Sequence, residues 1–78
     1  MKIYWDGKSK NIIGGKIKLL RKQANLTQKE LAAKLQIEGH DFTDLTILRI
    51  EQGSRFVPDY EVKILAHFFN ITTDELLS

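Results

Sequence analysis

An all-α fold of five short helices is what the sequence predicts, on three observations. Apolar residues recur at spacings of three and four rather than two. Two Thr-x-x-Glu capping boxes, Thr27–Glu30 and Thr72–Glu75, mark helix starts. Asn25, Gly39, Gly53, Pro58 and Asn70 punctuate the segments between the helices. The chain carries no strand pattern, internal repeat or low-complexity tract.

Seventy-eight residues make one domain, near the lower size for folding without staples. The lack of cysteine excludes disulfides, zinc–thiolate sites and thiol catalysis. Apolar runs are too short to span a membrane, and the lysine-bearing N-terminus has no apolar signal core, so a cytoplasmic protein is expected. The net charge of +2 is unevenly spread. Residues 1–29 carry eight basic side chains against Asp6, a net +7; residues 30–78 carry four basic against nine acidic, a net −5. A basic half fits a polyanion partner, and equally a solvated lysine-rich helix.

Residues 1–10 read as an arm or flap ahead of a domain over 11–78. The triplet Ile3-Tyr4-Trp5 fits a short strand, a cover on the core, a dimer contact or an arm in a minor groove. The first helix is expected from about Ile13 to Ala24, with Ile13, Ile17, Leu20 and Ala24 as its apolar stripe. Lys16, Lys18, Arg21 and Lys22 lie around the rest. Gly14 and Gly15 cost about 1 kcal/mol each against Ala, which predicts a weak first turn. Asn25 is a left-handed stop, and Leu26 a staple beside the Thr27 cap.

The second helix runs from Gln28 to about Gln36, with Leu31, Ala32 and Leu35 inward and Ala32 giving room for a close crossing. Gln28 and Lys29 sit beside free backbone N–H groups, where a phosphate fits. In the corner that follows, Ile37 and Phe42 are expected as buried plugs around the loop Glu38–Asp41. His40 has no second histidine or cysteine at ligand spacing and reads as a loop residue.

Thr43 caps a third helix over Asp44–Gln52, and Gly53 ends it. With Ile47 and Ile50 inward, Leu45 and Gln52 point away and Leu48 and Arg49 flank them. Pro58 belongs to the first turn of a fourth helix, where Asp59 and Glu61 suit the dipole. Val62, Leu65, Ala66 and Phe69 form its stripe, and Asn70 closes it. The Thr72–Glu75 box opens the last helix, with Leu76 and Leu77 apolar.

The motifs IGGKIKLLRK, TQKELAAKL, RIEQGSR and DYEV…ITTDEL, at these spacings, resemble the phage repressor/Cro-type helix-turn-helix (XRE) family, in a subgroup with a lengthened turn. The resemblance covers about Asn11 to Leu77 and implies a five-helix repressor-like DNA-binding domain, with helices two and three as the helix-turn-helix. It implies a transcription regulator that binds operator DNA, often as a homodimer on an inverted repeat, with helix three in the major groove. By that match Gln28 touches a phosphate. Asp44, Leu45, Thr46 and Arg49 take the base-reading positions. Gln52, Ser54 and Arg55 meet the flanking backbone, and Glu51 matches a structural glutamate.

The reading from residues adds Lys29 and Lys16 as phosphate contacts. Arg49 suits guanine O6 and N7, Leu45 and Leu48 suit thymine methyls, and Asp44 suits a helix dipole or a cytosine N4. The expected partner is double-stranded DNA, with a homodimer through Ile3, Tyr4, Trp5, Phe56, Phe68 or the last helix. No cofactor, metal or membrane is expected. The competing reading is a protein-interaction module on the same fold, antitoxin-like or antirepressor-like, docking through Leu45 and Leu48. An enzyme is disfavoured: the sequence lacks a nucleophile–base pair, a metal cluster and a strand-borne phosphate loop.

Overall fold

The computed structural model describes residues 10–78; the Ile3-Tyr4-Trp5 arm lies outside the described residues. Five helices follow one another: α1 (Gly14–Gln23), α2 (Gln28–Ile37), α3 (Asp44–Glu51), α4 (Asp59–Phe68) and α5 (Thr73–Leu77). Among the described residues there is no strand. All five lie where the periodicity put them, to within a residue or two at each end.

Local chemistry sets the boundaries. Thr27 Oγ1 accepts from Glu30 N–H at 3.1 Å, and Glu30 Oε1 accepts from Thr27 N–H at 2.9 Å. The Thr27 backbone N–H on the ionised carboxyl, and after it the Thr27 side chain, hold Glu30 below the ordinary carboxylate range. The same reciprocal box opens α5 at Thr72 and Glu75. Thr43 Oγ1 accepts from Thr46 N–H and starts α3. Asn25 and Asn70 both adopt φ 57°. In that left-handed conformation the N–H of Leu26 reaches Arg21 O and that of Ile71 reaches Ala66 O, closing α1 and α4. Pro58 stands one residue outside its expected place, as the extended cap before α4.

The core gathers Ile13 and Ile17 of α1, Leu31 and Leu35 of α2, Ile47 and Ile50 of α3, Val62 and Leu65 of α4, and Leu76 of α5. Phe42 and Val57 plug it from the two connecting loops. Two expectations fail here. Ala24 is the exposed cap that ends α1, not part of its stripe. Ile37, expected as a plug, is 85% exposed. α2 runs one residue further than its polar boundary suggested, so Ile37 stays helical, about 200° round from the buried Leu35. Gly39 then turns the chain at φ 91°, and Phe42 alone fills the corner, its carbonyl held by Gln36 Nε2 at 2.6 Å.

Gly14 has a purpose other than a weak first turn. A Cβ there would sit 2.3 Å from Ile50 O, so α1 and α3 cross as closely as they do only because position 14 has no side chain. Gly15 has open space around it.

Candidate nucleic-acid interface

α3 carries the candidate surface, and its inner edge is fixed by one carboxylate. Glu51 accepts from Arg21 Nε at 2.6 Å, from Arg21 Nη2 at 3.0 Å and from Gln28 Nε2 at 3.1 Å. Arg21 Nη1 also donates to Leu26 O at 2.8 Å. The two ionic side chains are nearly buried, and Glu51 raises the Arg21 pKa further, chiefly through the hydrogen bond. This network ties the last turn of α1 and the first residue of α2 to the end of α3. Arg21, read as one of the cations around the outside of helix one, is thereby a core residue. Its face of α1 turns inward because a partner thirty residues on neutralises it.

Asn11 locks the other end. Its Oδ1 accepts from Gly14 N–H at 2.8 Å and Ile13 N–H at 3.2 Å. Its Nδ2 donates to Arg55 O at 2.9 Å and Ile50 O at 3.1 Å. Sequence reasoning missed this residue. The available signal was an Asn just ahead of the first helix, a residue type whose short side chain bonds nearby backbone N–H groups.

The outward face of α3 holds the four expected base readers in different states. Asp44 is exposed, and its Oδ1 folds back to accept from Leu45 N–H at 3.0 Å. Thr46 is half-buried, its hydroxyl 3.0 Å from that of the cap Thr43. Leu45 is 47% exposed. Arg49 is exposed, and its side chain makes no hydrogen bond or ion pair among the described residues. Leu48 is half-buried at the edge.

The expected phosphate contacts divide. Lys29 is exposed and borders a groove between α2 and α3 together with Gln36, Thr43 and Asp44. Gln52, at the end of α3, is exposed beside Asn11, Gly14 and Gly15 at the start of α1. Ser54 is exposed, its hydroxyl donating to Arg49 O at 3.3 Å. Three others are already engaged. Gln28 gives one amide hydrogen to Glu51. Lys16 Nζ donates to Glu75 O at 3.1 Å, on the α5 side of the molecule. Arg55 forms a two-pronged ion pair with the buried Glu61, Nη1 to Oε1 and Nη2 to Oε2, and the Glu61 hydrogen bonds raise its pKa. Glu61, expected only to favour the α4 dipole, is the counter-charge that orders the α3–α4 loop.

Among the described residues no group of three or more His, Asp or Glu side chains is placed to hold a metal, and no helix is long and apolar enough to cross a membrane.

Two helices joined through a corner, here lengthened to residues 38–43, the second with its outer face in solvent, are the geometry of a major-groove reader. The family model of the helix-turn-helix domain matches residues 14–78, and the chain belongs to that family. The family is XRE-like, and membership points to binding of double-stranded DNA and to transcription regulation. No curated protein and no solved structure is significantly similar to the chain.

Proposed function

We propose that this protein is a sequence-specific transcription regulator of the Cro/repressor-like kind, whose α3 enters the major groove of operator DNA. The observation that carries the reading is Arg49, a guanidinium unengaged among the described residues, on the outer face of a helix clamped from behind by the Arg21–Glu51–Gln28 network. A planar guanidinium takes guanine O6 and N7 together, and preorganisation keeps that contact from losing affinity to ordering. Asp44, Leu45 and Thr46 face the neighbouring bases. Lys29, Gln52, Ser54 and the amide of Gln28 hold the backbone on either side, which fixes register rather than sequence. Arg55 and Lys16 contribute only by leaving Glu61 and Glu75. A module this small covers little DNA, so a homodimer on an inverted repeat supplies the affinity.

The test is selection of a random duplex library by the purified protein at two salt concentrations. An enriched, roughly palindromic motif is the expected result. Retention without enrichment would overturn sequence-specific reading. Arg49→Ala is expected to cost about 1–3 kcal/mol on the selected motif and much less on random duplex, read by competition.

The half-exposed Leu45 supports a second reading, an interaction module docking a protein through Leu45 and Leu48. Replacing both with Ser while DNA affinity stays intact and a partner is lost would favour it.

A further inference from the structure

We infer that α3 reads a methyl group: Leu45 packs on the C5 methyl of a pyrimidine in the major groove. This rests on the DNA-binding reading above and names the chemistry that the site recognises. The preferred half-site then contains a thymine that 5-methylcytosine can replace and uracil cannot.

Two side chains of the outer face are already hydrogen-bonded. Asp44 turns a carboxylate oxygen back on Leu45 N–H, and the Thr46 hydroxyl is shared with Thr43. Leu45 and, one turn on, Arg49 are the reader side chains with no hydrogen bond among the described residues. Leu45 lies about 200° round the helix from the buried Ile47, so it points directly away from the core. It is 47% exposed, and its own helix offers only the half-buried Leu48 as an apolar neighbour.

A leucine at that place cannot donate or accept. Of the groups that the major groove presents, the C5 methyl is the apolar one. Burying a methyl against Leu45 changes affinity by about fourfold, the equivalent of one buried methylene.

The test starts from the selected motif. At each thymine in turn, duplexes carrying thymine, uracil, cytosine and 5-methylcytosine, with the matching purine opposite, are compared by competition. At one position per half-site, thymine and 5-methylcytosine are expected to bind about fourfold tighter than their unmethylated counterparts. Leu45→Ala is expected to abolish that difference and leave the salt dependence unchanged, since leucine neutralises no phosphate. Circular dichroism checks that the variant is folded, and Leu45→Met, apolar and of similar size, is expected to retain the methyl dependence. Equal binding of thymine and uracil duplexes at every position would overturn the methyl reading while leaving DNA binding intact. Absence of any enriched motif would overturn the DNA reading itself, and this inference with it.

Discussion

Replacing Glu51 with Ala strands the Arg21 guanidinium in the protein interior. The cost expected is about 3–5 kcal/mol, the usual result of removing one partner of a buried pair, and urea titration reads it. Arg21→Leu, by contrast, removes the cation rather than its partner, and Glu51 keeps Gln28. The sequence pointed to a structural Glu51 only through family resemblance, and it misread Arg21 altogether. Periodicity assigns a basic residue to the outside, and the partner that changes this is thirty positions away. The two adjacent glycines make the same point in reverse. Gly15→Ala is expected to stabilise the fold by about 0.5–1 kcal/mol, because nothing within 4 Å opposes the new methyl. Gly14→Ala is expected to destabilise it, since the methyl would meet Ile50 O at 2.3 Å. Thermal melts of the two variants should move in opposite directions, a difference that helix propensity alone does not produce.

At the level of elements, capping chemistry was the most legible part of the chain. Both Thr-x-x-Glu boxes and the left-handed Asn25 and Asn70 are formed as read, because each is local to four or five residues. Corners were less legible. Ile37 and Phe42 are both apolar and both flank the α2–α3 turn, and only the path imposed by Gly39 decides which one is buried. Capping also sets a pH dependence. The Glu30 carboxyl is lowered in the folded protein, so its contribution is present above the ordinary carboxylate range and is lost as pH falls through the folded value. Glu30→Gln keeps the acceptor without the charge. The stability gap between wild type and Glu30→Gln, from urea midpoints, is therefore expected to be present at neutral pH and to close in acid. Thr43→Ala tests the third helix directly, with an expected loss of about 1 kcal/mol.

For the molecule as a whole, pairing redistributes the charge that the sequence displays. Arg21 and Arg55 are spent on Glu51 and Glu61, and Lys16 on the end of α5. Of the expected DNA contacts, the cations left facing outward near α3 are Lys29 and Arg49, and the exposed Lys10 lies beside the end of α3, its N–H on Gly53 O and its ammonium over the Phe56 ring. Log K for DNA is expected to fall with log salt at about −0.9 per phosphate, a slope that counts those contacts. Lys29→Gln should reduce the slope by about one such step and leave the preferred motif unchanged.

The exposed Ile37 has a consequence for the protein in a tube rather than on a promoter. It rims a shallow groove of about 570 Å³ shared with Ala24, Leu26, Phe68 and Phe69 and lined also by Lys34 and Glu38, a mainly apolar patch on a chain of net charge +2. Weak long-range repulsion and a greasy rim together favour clumping as concentration rises, fastest near the pI of about 9.0. Ile37→Lys should leave the melting temperature within a degree or two and raise the concentration at which light scattering still reports discrete particles.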